Sequence, residues 1–390
     1  MNVLHGIRVV DLGNFITGPY AAMLLAELGA DVIKVERPGV GDPFRAFKGG
    51  LYSPQFQSHN RHKRSVALDY TKPAGLEILL ALLGKADAVV MNNRPGVPEK
   101  MGLGYERLHA LNPRLVYCAI TGFGGSGPYA ARPAYDNVGQ ALSGYLSLNH
   151  DGGDARVSGP AVSDGLTGVY ACLAMLGALF DRERSGVGRK VETSMLEATM
   201  AFAVEPIGHY LATGNAPTRY SRASASQSYL VACSDGKRIG LHMSSPDKFW
   251  EGLTKAMERP DLLEKYPDRA SRSSRYNEVA EDFARIFRER TRDEWMARLE
   301  ANDVPFAPER KINEVPEDPQ VRHLNLFYEL THPKYGPVKG MRRSMSYDGQ
   351  RDATLRPPPD LGEHTEEILR EMGIGEERLK SLREQKLIGG

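Results

Sequence analysis

The sequence predicts an α/β protein, with a large domain built on a helix-covered parallel sheet and a smaller α+β domain. Three observations predict it. Short β-branched runs alternate with helically spaced apolar residues through the first two hundred positions, the pattern of strand–helix–strand units. The pattern breaks near residue 213, where a small, polar stretch, TGNAPTRYSRASASQS, begins. The length of 390 residues is more than one ordinary domain needs.

The elements follow in order. Ile7–Gly13 reads as a strand, Gly18–Ala30 as a helix stopped by glycine, and Asp31–Arg37 as the next strand. The rhythm returns at Ala74–Ala86 with Asp87–Asn93, and at Tyr105–Pro113 with Leu115–Gly124. Ligands on such sheets sit at the carboxyl ends of strands. Here those ends carry Gly13–Thr17, Glu36–Arg37, Asn92–Arg94 and Thr121–Gly125. A helix opening around Asp164 carries the apolar run Val169–Phe180. Composition divides the chain into a domain over 1–212, a linker at 213–226, a small domain over 227–304, a proline-rich linker at 305–325 and a tail over 326–390. In the small domain Tyr229–Met243 reads as two strands joined by a Ser-Asp-Gly turn, followed by helical segments at Pro246–Met257 and Asn277–Asn302. The tail holds strand-like pieces around Val338–Tyr347 and amphipathic helices at Glu363–Met372 and Glu376–Gln385.

Bulk properties exclude several classes. Fifty basic and 49 acidic side chains leave a net charge of +1, with no basic excess to suggest a nucleic-acid partner. An anionic ligand would be met by a local cluster. Cys118, Cys172 and Cys233 have no metal-site spacing, and so sparse a set suits a reducing compartment. The opening MNVLHGIRVVDLG lacks a basic stretch followed by a long apolar run, and Val169–Phe180 is short and broken by Gly177. A cytoplasmic protein without a membrane segment is expected. There is no H-E-x-x-H, serine elbow, P-loop or G-x-G-x-x-G, so neither a metal nor a dinucleotide cofactor is expected.

Asp164 is the sharpest candidate for chemistry, in SDGLTG at the helix entrance. It reads as an N-cap, worth roughly 1 kcal/mol, or as a nucleophile. The two roles are compatible. Helix-start amides favour the anion, and an ionised carboxylate attacks acyl carbon. Gly165 and Gly168 would let a substrate approach the backbone, whose amides could hold an oxyanion. GNFITGP after the first strand could meet an anion, and Arg37, Asn92, Arg94 and Lys100 would give the crevice a polar, positive lip.

Long segments then become recognisable. They include GIRVVDLGNFITGPYAAMLLAELGADVIKVERPGVGDPFR, NNRPGVPEKMGLGYERL, TGFGGSGPYAARPAYDNVGQALSG and SDGLTGVYACLAMLGALFDRERSGVGRKVETSMLEA, with PDLGEHTEEILREMG in the tail. With these the chain resembles, over nearly its whole length, the class III CoA-transferases. That family includes the formyl-CoA and carnitine CoA-transferases and the α-methylacyl-CoA racemases.

The resemblance implies a Rossmann-like large domain in which 326–390 completes 1–212, a smaller inserted domain, and ring-shaped subunits interlocked in a homodimer. It implies a CoA-transferase in which Asp164 is the nucleophile and passes through an aspartyl-CoA thioester. Coenzyme A is then a substrate and no cofactor is needed. The family's CoA contacts fall on Phe15, Ile16, Thr17, Arg37, Leu68, Thr71, Lys72, Asn92, Asn93, Arg94, Lys100, Ala134, Tyr135 and Asp136. The family lysine of one contact is replaced by Pro133, and Thr71 stands where a lysine is usual.

The racemase branch uses a His/Asp pair, but Tyr135 stands where its histidine would be. A non-catalytic CoA-binding protein would not need Asp164. The partners that the resemblance implies are an acyl-CoA, succinyl-CoA foremost, and a carboxylic acid. For a dicarboxylic acceptor, Arg219, Arg222, Gln227 and His242 could pair with the second carboxylate. The glycine-rich flap of formyl-CoA transferases is missing, which argues against oxalate and formate.

Overall fold

A computed structural model describes residues 2–47, 50–150, 156–244, 247–351 and 355–389. The chain divides into two compact units. One comprises Met1–Leu146, Arg156–Val204 and Arg322–Gly390, and the other Ser147–Ala155 and Glu205–Val321.

The larger unit is built on six parallel strands: β1 (Arg8–Asp11), β2 (Asp31–Glu36), β3 (Arg64–Ala67), β4 (Ala88–Met91), β5 (Val116–Thr121) and β6 (Lys190–Ser194). Their spatial order is β3-β2-β1-β4-β5-β6. The order reverses between β1 and β4, where the two following turns leave the sheet in opposite directions and open a crevice. The helices are α1 (Thr17–Glu27), α2 (Pro54–Asn60), α3 (Pro73–Leu83), α4 (Val97–Lys100), α5 (Tyr105–Leu111), α6 (Asp136–Leu142), α7 (Val162–Ser185) and α8 (Met195–Phe202).

Strand residues alternate between two apolar layers, so the strands read as continuous hydrophobic runs. Val10, Ile33, Val66 and Val89 face α3 residues such as Leu79 and Leu83. Val9, Val32, Val90 and Cys118 face Ala22 and Leu25 of α1 and Ala171 and Met175 of α7. The tail completes the first layer. Its helices Thr365–Glu371 and Glu376–Glu384 bury Ile368, Leu369, Leu379 and Leu382 there. A tail hairpin, Phe327–His332 with Gly336–Met341, is antiparallel and places the predicted strand signal slightly earlier in the chain. By length and composition α7 would span a bilayer. One face of it is buried: Ala171, Cys172, Met175 and Leu179 lie in the second apolar layer, and a Cβ added at Gly168 would lie 2.9 Å from Tyr20 Cδ1 and 3.1 Å from the Thr17 carbonyl.

The smaller unit carries an antiparallel sheet of Ser228–Ala232, Arg238–His242 and Phe306–Pro308. The first two strands are the expected hairpin. Helices Asp247–Ala256, Tyr276–Ile286 and Arg292–Ala301 cover the sheet with Trp250, Phe283 and Trp295, joined by Phe287 from the turn after the second helix. The long helical pattern from Asn277 breaks where Thr291 caps a new helix through a capping box with Glu294. Both stretches expected as linkers contain regular structure. Ser221–Ser226 is helical, and Phe306–Pro308 is the third strand of the sheet. Pro246, the expected start of a helix, lies outside the described residues.

Candidate active site

The crevice is framed first by the turn after β1. That turn is wound tightly: a Cβ on Gly13 would lie 2.9 Å from both Gly18 Cα and Pro19 Cδ. Phe15 takes a left-handed conformation, φ 62°, unusual for an aromatic residue. Its amide donates to Asp42 Oδ1 at 3.2 Å, and Phe44 meets its ring edge-on at 5.3 Å. From β4, Asn92 Oδ1 accepts the Asn14 amide at 2.9 Å, while its Nδ2 donates to the Asn14 carbonyl at 2.7 Å and Thr17 Oγ1 at 3.0 Å. One side chain thus ties the two switch-point turns together.

A buried ionic network stands behind these turns. Asp11 Oδ1 accepts the Gly13 amide at 2.8 Å, and its Oδ2 accepts from Lys63 Nζ at 2.8 Å. Lys34 Nζ donates to the Gly13 carbonyl at 2.8 Å and lies 3.0 Å from Asp42 Oδ2. Glu36 takes Arg45 through both oxygens at 2.7 Å and accepts the Asp42 amide at 2.9 Å. Burial alone would raise the Asp11 carboxyl, but Lys34 and Lys63 outweigh it and hold it below its ordinary value. Nothing in the sequence marked these lysines as interior, because a lone charged residue reads as surface.

Asp164 enters the crevice from α7. It is not the cap. The helix starts one residue after Ala161, which makes no side-chain cap, and Asp164 sits inside the first turn. Its backbone amide donates to Asp136 Oδ1 at 3.2 Å, while Asp136 Oδ2 accepts from Gln140 Nε2 at 2.6 Å. The Gly165 amide donates to the Ala161 carbonyl at 3.0 Å, so both amides are already engaged and neither is a free oxyanion donor. The space beside Gly165 is open. Helix α6 packs closely on this corner: a Cβ on Gly139 would lie 2.4 Å from Ser163 Oγ. Thr199 Oγ1 donates to that hydroxyl at 2.7 Å and holds it in place.

The electrostatics also differ from the sequence expectation of a readily ionised acid. Burial, then the nearby Asp136 carboxylate, pushes Asp164 up to about 7. Helix-start stabilisation is outweighed. Raised carboxyls of this kind are a frequent mark of reactive sites. The cysteines offer no rival nucleophile, since burial pushes Cys118 and Cys172 up to about 12 and Cys233 to about 11.

The cleft encloses about 180 Å³. Phe15, Ile16 and Thr17 line one part of it, with Asn92, Asn93 and Arg94 beside them, and Ala134, Tyr135 and Asp164 line another. Asp136 joins through Asp164. The other positions stand elsewhere. Arg37, Thr71 and Lys72 are exposed beyond β2 and β3, where Thr71 bonds Asp69 at 2.5 Å. Lys100 is exposed at the end of α4. Leu68 lies in the apolar core, 1% exposed, with its amide donating to the Glu36 carbonyl at 2.8 Å and its carbonyl accepting the Tyr70 amide at 3.1 Å, so the structure does not bring it to the cleft. Thr121, Gly122, Arg132 and Met195 also line the cleft. Sequence reasoning placed no role on Arg132, whose only signal was a cation just before the PAYD segment. No histidine stands among the described lining residues.

Residues 4–365 match the family described as CoA-transferase family III. The chain belongs to CoA-transferase family III. It is an enzyme of the CoA-transferase type. This family III enzyme is 32% identical over 375 residues to the succinyl-CoA:glutarate CoA-transferase of Homo sapiens, covering 95% of this chain and 86% of that protein. It is 35% identical over 408 residues to the succinyl-CoA:mesaconate CoA-transferase of Haloarcula hispanica, covering 96% and 98%. A crystal structure of a CAIB/BAIF family protein from Brucella suis superposes with a TM-score of 0.82 at 29% identity, covering 95% of this chain and 99% of that one.

Proposed function

We propose that this enzyme moves CoA from an acyl-CoA, succinyl-CoA foremost, to a carboxylic acid through an aspartyl-CoA thioester on Asp164. The acceptor class we propose is dicarboxylic, as in the names of the human and haloarchaeal relatives. The observation that carries the reading is a half-buried carboxylate, Asp164, in a switch-point cleft with no histidine among its described lining residues.

The steps need only carboxylates and a thiolate. An Asp164 carboxylate oxygen attacks the thioester carbonyl, the C–S bond breaks, and CoA thiolate leaves a mixed anhydride. The thiolate attacks Asp164 Cγ, the bond from Cγ to the acyl oxygen breaks, and the donor acid departs. An acceptor carboxylate then attacks Cγ of the aspartyl-CoA, expelling the thiolate, which attacks the acceptor's acyl carbon and restores Asp164. No net proton is transferred, and the bonds made and broken are matched. A carboxyl raised to about 7 still supplies the anion near neutrality, in a more basic form than an exposed aspartate. Asn92, Phe15 and their tied turns form the wall for CoA, with Arg37, Thr71, Lys72 and Lys100 as outer contacts.

We place the enzyme in the cytoplasm as a homodimer, with interlocked ring-shaped subunits. On α7, Val169, Leu173 and Phe180 form an exposed apolar stripe, which supports a subunit contact. Light scattering at twice the chain mass is the expected result.

The racemase alternative makes a separable prediction. Incubation with succinyl-CoA and glutarate in deuterated buffer should give glutaryl-CoA without deuterium next to the thioester. Deuterium at that carbon with no acyl exchange would replace transfer by proton abstraction.

A further inference from the structure

We infer that Arg132 is the specificity-determining cation of the cleft, pairing with the distal carboxylate of a dicarboxylic acyl group or acceptor. The assignment rests on the CoA-transfer reading above and adds the group that selects the acid.

A diacid brings two negative charges toward the carboxylates of Asp164 and Asp136, so the cleft needs a cation to receive the end that does not react. Arg94 and Arg132 are the guanidinium groups among its described lining residues. Arg94 stands in the turn held by Asn92, on the wall assigned to CoA. Arg132 stands in the loop that continues through Tyr135 to Asp136, whose carboxylate holds the Asp164 amide. One five-residue stretch therefore sets both the cation and the nucleophile.

The interior arginines Arg45, Arg64 and Arg182 each have a carboxylate partner. Arg132 is exposed, and no described carboxylate pairs with it. Its guanidinium lies 3.9 Å over the Tyr129 ring. That contact occupies one face of the cation and leaves the N–H edge available for a bidentate carboxylate. Pro133 favours an extended backbone at Arg132 and limits the freedom lost on binding.

Arg219, Arg222, Gln227 and His242 make their contacts within the smaller unit. Arg222 pairs with Glu205 at 3.2 Å, and Gln227 accepts from Arg272 at 2.9 Å. His242 bonds Ser228 at 2.9 Å and Ser244 at 2.7 Å, and Arg219 lies over Tyr220.

The test is isotope exchange of labelled glutarate into glutaryl-CoA and of labelled valerate into valeryl-CoA, two acids that differ in the second carboxylate. The wild type should prefer glutarate. In Arg132→Leu the glutarate-to-valerate ratio of kcat/KM should fall roughly ten- to a hundredfold, the value of a charged hydrogen-bonded pair. Arg132→Lys should recover part of it. A wild type without preference, or an unchanged ratio in Arg132→Leu, would overturn the assignment. Equal losses for both acids would place Arg132 on CoA instead. If the wild type exchanges no acid into any acyl-CoA, the transfer reading itself fails and the assignment with it.

Discussion

The backbone amide of Asp164 donates to the carboxylate of Asp136 at 3.2 Å, so the positioning contact and the charge that perturbs the nucleophile come from one side chain. Asp136 fixes the first turn of α7 and, after burial, is the cause that raises Asp164.

Asp136→Asn separates the two effects. The amide oxygen of Asn can still accept from the Asp164 N–H, but the like charge is gone. The acid limb of the pH profile for CoA transfer should move to lower pH by about one unit. An unmoved limb with lost activity would mean that Asp136 acts through position alone.

Stability should depend on pH through Asp164 in a defined sense. Between its ordinary 3.8 and about 7 the folded chain binds the proton that the unfolded chain releases, so stability falls as pH rises through that window. Asp164→Asn removes the cost of an ionised buried group. Each unit by which a pKa differs between the two states is worth about 1.4 kcal/mol, screened here by partial exposure. The variant should melt higher than the wild type at about pH 8, and the difference should shrink toward about pH 5. Differential scanning across pH checks it.

Asn92 ties the β1–α1 turn to β4 with three hydrogen bonds. Asn92→Ala loses all three bonds, so the melting temperature should fall by a few degrees, and the loosened turns should weaken CoA binding roughly 5- to 30-fold. Titration calorimetry with free CoA measures this.

Gly139 lets α6 approach the Asp164 corner. In Gly139→Val the new side chain meets Ser163 Oγ, which Thr199 holds, and Met195 Cβ, 3.1 Å from the added Cβ. The helix must back away and take Asp136 with it. Activity should fall at least tenfold, with a loss of roughly 1–3 kcal/mol in stability. Kinetics paired with denaturant unfolding separate the two.

Much of the sheet was legible because its inner strands alternate sharply with amphipathic helices. Two strands were not read. Arg64–Ala67 follows Lys63, and both charges look like surface until the fold buries them against Asp11 and Asp31. Lys190–Ser194 is an edge strand with polar residues on its open face. Asp164 could be found but its position could not: a capping acid and an acid two residues into the helix read alike without backbone geometry. Its raised pKa depends on Asp136, 28 residues earlier in the chain, and Arg132 gains meaning only when its loop meets the same cleft. Local pattern carries elements, whereas burial and charge pairing arise from tertiary approach.

The most direct measurement is the intact mass of the protein after incubation with succinyl-CoA, beside Asp164→Ala. The account predicts a hydroxylamine-sensitive CoA adduct on the wild type, mapped by peptide mass spectrometry to Asp164 and missing from the variant. An adduct that survives in Asp164→Ala, or CoA transfer at wild-type rate without Asp164, would contradict it.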